Sequence, residues 1–382
     1  MEILNETSTE ADALTLWRSL LNIKGAAPAF AKALPKTGIP PVVAKAGLRA
    51  AREGGRSEPD LVLALTRGSG LDEGEVSLTE AELKQLVADV TSKGDAARGE
   101  AVYRRKDLSC VSCHSIGGAG GKVGPDMTSI GASAPVDYLV ESVWFPNKKI
   151  KEGFHAVSIE TKDGEEYSGV LVRENNEQVV LRDATGKEIS VAKNNVANRR
   201  IGTLSLMPAG LIDGITPQER IDLFRFLSEL GKPGAYDATR GNIARTWRVR
   251  TAEHTDEQSG EEKIVTGDLN ARPWFHLIAN VNGAVPTRAI QEALPPNDYQ
   301  RHGVTALYLA AQLQTPGTGV VKFKVEGSPV VAAWIDGKLQ TAGAEFSSEL
   351  SSGTHSIVVR FDPKKLPENF RLESSAGTFV TN

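Results

Sequence analysis

The chain is poor in sulfur: its 382 residues include only two cysteines and three methionines. Two cysteines cannot build the disulfide framework on which small secreted domains rely. Nor do they supply the four ligands of a structural zinc site unless other residue types join them. Long apolar runs are also missing. No stretch approaches the ~20 residues that a membrane-spanning helix needs, so no helical membrane span is expected. There is no surplus of positive charge either: 44 Lys and Arg stand against 48 Asp and Glu, for a net charge of −4. Nothing in that balance argues for nucleic acid or an anionic membrane surface as a partner. Met1-Glu2-Ile3-Leu4-Asn5-Glu6 lacks the basic start and apolar stretch of a signal peptide.

Both cysteines fall in one pentapeptide, Cys110-Val111-Ser112-Cys113-His114. C-x-x-C-H is the attachment signature of a c-type haem. Two thiols at this spacing reach two vinyl groups on one porphyrin edge and form thioethers. The imidazole that follows is carried under the ring, where it binds iron as the proximal ligand. The competing readings are a redox dithiol, half of a zinc site, or chance. There is no third cysteine to extend a zinc site. The βαβ surroundings of a thioredoxin-like dithiol are not evident. The expectation is one covalent haem c on Cys110 and Cys113, with His114 as an iron ligand. Covalent haem is generally matured outside the cytoplasm, so a periplasmic or extracellular location is expected. The chain is then expected to be a mature or excised portion of a longer exported protein.

At roughly 100–200 residues per domain, the length suggests two to four domains. Residues 1–92 read as short helices: Ala13 to Ile23, Val42 to Arg52 and a segment from Asp60, separated by Gly and Pro. They suggest a helical spacer or a remnant of a HEAT-like repeat. Thr79 and Glu82 predict a capping box for a helix over Thr79 to Val90. Asp95 caps the next helix, Ala96 to Arg105, on which Gly99 and Tyr103 share a face. Gly117-Gly118-Ala119-Gly120-Gly121 follows no strand and lacks phosphate-loop spacing. Its expected role is to let backbone pass close to a flat ring. Gly124-Pro125 comes next. A metal-bound His usually donates its second ring N–H to an acceptor such as a carbonyl, and Pro125 is the candidate acceptor for His114. Pro135 to Phe145 reads as a short helix.

A β insertion, residues 153–201, carries four candidate strands: Val157 to Thr161, Glu166 to Arg173, Gln178 to Asp183 and Glu188 to Ala192. Asp163-Gly164 and Thr185-Gly186 mark hairpin turns. The insertion is expected to wall one haem edge, with a docking surface as the other reading. A low-spin electron-transfer haem needs a sixth ligand, and a thioether raises its potential. Met207 in Leu204-Ser205-Leu206-Met207-Pro208 and Met127 are the candidates. Thr216, Pro217 and Glu219 open a last, largely buried helix that Gly231 and Pro233 stop.

As a set, G-D-A-A-R-G-E-A-V-Y, C-V-S-C-H, V-G-P-D-M, T-K-D-G-E-E-Y-S-G-V, S-L-M-P and T-P-Q-E-R carry a family resemblance. Gly94 to Leu230, roughly a third of the chain, resembles the haem-binding domain of large exported proteins of Planctomycetes and Verrucomicrobia, a branch of class I cytochrome c. The resemblance implies a helical fold around one haem, His114 proximal and Met207 distal, and first and last helices crossing near Gly99 and Tyr103. Such relatives have Leu where this sequence has Met127. They are often fused to dehydrogenase-like propellers, helical repeats or carbohydrate-binding modules.

Residues 235–382 read as an antiparallel β-sandwich, with candidate strands at Thr246 to Arg250, Trp274 to Asn280, Ala306 to Ala311, Val320 to Val325, Val330 to Ile335 and His355 to Phe361. W-I-D-G-K and G-T-H-S-I-V-V-R-F resemble jelly-roll modules of the protective-antigen type, which often bind glycans. Trp247, Trp274 and Trp334 are candidate sugar platforms, with sandwich core as the preferred alternative. His254, His276, His302 and His355 show no metal spacing. The expected whole is a multidomain α+β protein: a helical segment over 1–92, a cytochrome domain over 93–234 and a jelly-roll-like sandwich over 235–382. The expected function is single-electron transfer to a redox partner protein, which requires no substrate chemistry of its own, within what can be part of a larger dehydrogenase-type protein. The alternatives are a haem that binds a gas or peroxide, and a carbohydrate-binding module with ancillary haem. Arg104, Arg105, Lys106, Arg199 and Arg200 are candidates for haem propionates or for an acidic partner, with a solvated basic surface as the plain reading.

Overall fold

A computed structural model describes residues 9–23, 25–51, 58–70, 78–208, 210–212, 215–253, 264–266, 274–295, 304–327, 330–340 and 343–381. Trp17 organises the first helices, α1 (Glu10–Leu21), α2 (Ala26–Ala33), α3 (Pro41–Ala50) and α4 (Pro59–Ser69). It is fully buried, and its indole N–H donates to the Val43 carbonyl at 2.9 Å. Phe30 meets it edge-on, with ring centroids 5.4 Å apart. Gly47 lets α3 come close, since a Cβ there would lie 2.9 Å from Trp17 Cε2. The predicted helices correspond to α1, α3 and α4. The sequence reading missed α2 because its segment contains Pro28; proline is tolerated in a first turn, where the N–H has no helical partner anyway.

The helices α5 (Glu80–Lys93), α6 (Ala96–Tyr103), α7 (Cys110–Cys113), α8 (Ile130–Ser133), α9 (Val136–Trp144) and α10 (Pro217–Glu229) follow, with a two-stranded hairpin, β1 (Ser115–Ile116) and β2 (Ala119–Gly120), between α7 and α8. The Thr79–Glu82 capping box is formed in both directions. So is the Thr216–Glu219 pair at the start of α10. Ile221, Leu223, Phe224, Phe226 and Leu227 of α10 are all buried. α6 crosses α10 at Gly99, where a Cβ would overlap the Asp222 carbonyl and lie 2.7 Å from Phe226 Cβ. One turn on, Tyr103 packs on Phe226 with ring centroids 5.4 Å apart. Asp222 closes the crossing. It accepts from the Asp95 amide at 2.8 Å, from Arg98 Nε at 2.7 Å and from Gln218 at 2.9 Å.

The β insertion is an antiparallel sheet of five strands, not four: β3 (His155–Thr161), β4 (Glu166–Glu174), β5 (Gln178–Arg182), β6 (Glu188–Ala192) and β7 (Val196–Ser205), in the order β6-β5-β4-β3-β7. The missed strand, β7, lacks the strict alternation that marks a half-buried strand and is largely exposed. It carries the chain back to Ser205, two residues before Met207.

The last part holds β8 (Thr246–Glu253), β9 (Phe275–Ile278), β10 (Val285–Pro286), α11 (Thr287–Ala293), β11 (Val304–Thr315), β12 (Gly319–Glu326), β13 (Ala332–Ile335), β14 (Lys338–Gln340), β15 (Glu345–Leu350), β16 (Gly353–Phe361), β17 (Asn369–Ser374) and β18 (Thr378–Phe379). One sheet runs β14-β13-β16-β11-β8-β9, with β18 also on β11; the other runs β10-β17-β12-β15. All these pairings are antiparallel. Leu307, Leu309, Ile357 and Val359 of the first sheet share one core with Phe323, Phe346, Phe370 and Leu372 of the second. Asp336-Gly337, between β13 and β14, has positive φ at both positions (48° and 78°), as a tight hairpin turn requires.

The fold is therefore mixed α+β, with antiparallel sheets. It divides into two compact units: Met1–Ser115 with Gly120–Glu229, and Ile116–Ala119 with Leu230–Asn382. The segments expected at 1–92 and 93–234 lie together in the first unit as far as Glu229, apart from the tip of the hairpin.

Candidate functional site

The pentapeptide forms a single helical turn. Ser109 precedes it in the left-handed region (φ 57°), unusual for a residue with a Cβ. The His114 amide donates back to the Cys110 carbonyl at 2.9 Å. The glycines after it wrap this turn. The Gly121 amide donates to the Val111 carbonyl at 3.0 Å, and the Gly124 amide to the Cys113 carbonyl at 2.8 Å. A Cβ on Gly121 would overlap Ser112 and lie 2.8 Å from the Cys113 nitrogen. The glycine run thus approaches the main chain of the pentapeptide this closely. From α6, the Tyr103 hydroxyl reaches the His114 carbonyl at 3.4 Å.

The His114 imidazole is held at Nδ1, 2.7 Å from the Pro125 carbonyl oxygen. A carbonyl only accepts, so Nδ1 carries the hydrogen and a neutral ring keeps its lone pair on Nε2. Gly124 lies flat against the ring: a Cβ there would sit 2.7 Å from Nδ1 and 2.8 Å from Nε2. Burial lowers the pKa of His114 and outweighs the opposing pull of the Pro125 carbonyl and Asp126. The neutral form is the one that binds metal. Beyond Pro125 the chain stays tied to the same strand. The Met127 amide donates to the Ser115 carbonyl at 2.8 Å, and the Ser115 hydroxyl to Asp126 at 2.6 Å. Met127 is therefore fixed beside the residue that follows His114.

Cys110 and Cys113 are not joined by a disulfide. Burial, reinforced by the neighbouring Cys113, pushes the Cys110 thiol up to about 12. A redox or nucleophilic cysteine has the opposite property, a lowered pKa. Among the described residues no three His, Cys, Asp or Glu side chains converge on a metal-binding position, so the zinc reading finds no further ligands of these types.

Met207 is half-buried on the loop after β7. Its amide donates to Ser205 Oγ at 3.1 Å, and the Ser205 amide donates to Asn147 Oδ1 at 2.6 Å. These contacts hold the loop to the segment after α9. The hydrogen bonds above join the pentapeptide, His114 and Pro125 into one constellation; those of Met207 form a second. The sequence reading missed Trp144 and Arg220. The Trp144 indole N–H is buried with no hydrogen-bond partner among the described residues. The Arg220 guanidinium lies over its ring, 5.3 Å from the centroid, and donates from Nε to the Ile212 carbonyl at 3.0 Å. A tryptophan at a helix end reads as core filling from sequence, and only its orphaned donor marks it.

Several expected basic contacts are already engaged. Arg104 pairs with Glu100 at 2.8 Å, Arg105 with Asp107 at 2.6 Å and with Glu219 at 2.9 Å, and Arg199 with Glu174 at 2.9 Å. The β insertion meets the glycine-rich segment through Arg182, whose guanidinium donates to the Lys122 carbonyl at 2.9 Å. In the C-terminal sheets, Trp247 and Trp334 are buried in apolar clusters and offer no open face for a sugar. Trp274 is half-buried, with the Arg250 guanidinium 5.6 Å from its ring centroid. His355 is buried and bonded to Asp336 at 2.6 Å and to the Ser351 carbonyl at 3.0 Å. His254 and His302 lie outside the described residues.

The donor set fits a haem. An imidazole with Nε2 as its available lone pair follows directly on two paired thiols, and a glycine opposite the ring leaves no side chain in its way. No protein-family model matches the chain, and no curated protein matches it.

Proposed function

We propose that this chain is a mono-haem c-type cytochrome of an exported protein, passing single electrons to a redox partner in the periplasm or outside the cell. The observation that carries this reading is the His114–Pro125 contact beside the two thiols: it fixes the tautomer and orientation that an iron ligand needs. In this reading Cys110 and Cys113 hold the porphyrin through thioethers. His114 ligates through Nε2, and Pro125 keeps the ring from turning. When bound, the haem supplies a one-electron couple. Met207 would be the further ligand, with Met127, whose amide is tied to the Ser115 carbonyl, as the alternative. Tyr103, packed on Phe226, meets the pentapeptide at the His114 carbonyl. The resemblance to the haem-binding domain of Planctomycetes and Verrucomicrobia proteins supports the same assignment and the class I cytochrome fold.

The test is mass spectrometry and optical spectroscopy of the protein produced with a haem-attachment system. Expected are the added mass of one haem, a weak sulfur-to-iron charge-transfer band at the red edge, and no spectral shift with carbon monoxide. Absence of the haem mass overturns the proposal. A haem that binds carbon monoxide in the unmodified protein favours the second reading, a gas- or peroxide-binding site.

A further inference from the structure

We infer that Leu204 seats the Met207 loop on the N-terminal helices, so that ligation by Met207 and the packing of those helices stabilise each other; this rests on the reading above, with Met207 as the further ligand. Leu204 is half-buried near the end of β7. It does not join the apolar core of its own sheet, which gathers Val157, Ile159, Val179, Leu181 and Val191. It packs instead on the cluster around Trp17. Among the described residues, every other member of that cluster lies between Ala13 and Leu65. β7 thus starts in one core and ends in another, since Val196, its first residue, packs on the core of the sheet. Between the two, Ile201 is 69% exposed.

Ser205 and Leu206 alone separate Leu204 from Met207. Ser205 accepts the Met207 amide at 3.1 Å, and its own amide is fixed to Asn147. A thioether on so short a tether is held where the tether is held, because three residues span at most ~10 Å. Fixing the tether raises the local concentration of the sulfur over that of any competing ligand. Ser205 anchors the loop by hydrogen bonds, and Leu204 supplies an apolar anchor. Trp17 makes the helices a firm seat: it is fully buried, with its indole N–H on the Val43 carbonyl. Coupling of this kind is reciprocal. Helices that favour ligation by Met207 are themselves favoured by it, by the same factor. Leu204 is therefore a positioning residue that acts through Met207.

The experiment titrates imidazole, a competitor for the position held by Met207, into the haem-loaded, oxidised full chain. Leu204→Ala is compared with Ile201→Ala, which removes an exposed side chain from the same strand, and with Leu204→Met, which nearly keeps the volume. Loss of the sulfur-to-iron band reads the displacement of Met207. Leu204→Ala is expected to bind imidazole roughly five- to tenfold more tightly than wild type, with a lower reduction potential. Ile201→Ala and Leu204→Met should match wild type. A measurement without any variant stands beside these. In hydrogen exchange of the wild type, saturating imidazole should speed exchange in α1 and α3 and leave β11 unchanged. Equal imidazole affinity in wild type and Leu204→Ala overturns the inference and leaves the cytochrome reading standing. An equal gain in Ile201→Ala marks a general loosening of β7 and also overturns it. So does exchange in α1 and α3 that ignores imidazole, which decides the matter alone should Leu204→Ala fail to fold. A sulfur-to-iron band that persists in Met207→Ala, or a wild type with no haem mass, defeats the reading itself, and the inference falls with it.

Discussion

A methyl group on Gly124 would press into the imidazole of His114, against Cε1 and 2.8 Å from Nε2. Gly124→Ala is expected to lower haem loading several-fold and, as an overpacking substitution, to destabilise the protein by about 1–3 kcal/mol. The haem-to-protein ratio and a urea unfolding midpoint check the two parts separately. Met207→Ala is expected to leave haem attached, admit carbon monoxide and lower the potential. An unchanged spectrum would shift the assignment to Met127 or to a nitrogen ligand. The Cys110–His114 turn and its Pro125 contact were legible in the sequence because the cysteines and histidine are adjacent and Pro125 follows only 11 residues on. Trp144 and Arg220 were not. They meet across about 75 residues of chain, and nothing local in the sequence encodes such a meeting.

At the scale of the elements, the α6–α10 crossing depends on Gly99 having no side chain and on Asp222 being charged. Gly99→Ala forces the helices apart. It is expected to cost about 3 kcal/mol, at the upper end of overpacking effects, whereas Gly317→Ala, with open space around it, should cost little. Burial by itself would raise the Asp222 carboxyl, but Arg98, the Asp95 amide and Gln218 outweigh it and leave its pKa below the ordinary range. Stability from such a group is complete above the unfolded-state pKa, about 3.9, and is lost as the pH falls through the lower folded value. The first unit should therefore weaken below about pH 4, and Asp222→Asn should flatten that part of the pH–stability curve. Caps and buried stripes made most helices readable. β7 escaped because its face pattern is irregular and polar. β15 and β17 were passed over although their buried residues alternate.

For the molecule as a whole, two compact units predict two calorimetric transitions rather than one. They should respond to pH in opposite directions. His355 belongs to the second unit. Its burial disfavours the charged ring, but Asp336 and the Ser351 carbonyl more than compensate, so its pKa stands above the ordinary value. Its stabilising contribution is full below the unfolded pKa of about 6.5 and fades as the pH rises through the higher folded value. His355→Gln should remove that alkaline-side slope from the second transition and leave the first unaltered. Single, merged melting that both variants shift together would refute the independence of the two units.

The second unit includes four residues, Ile116–Ala119, from the turn directly after the proposed haem motif. Gly117 lies against Ala238, and Gly118 against Thr381. Scissors applied at residue 230 would strip that turn of its seat on one fragment and leave an empty notch on the other. A gene fusion that borrows the haem motif by a cut there would leave behind Ala238 and Thr381, the residues its turn packs on.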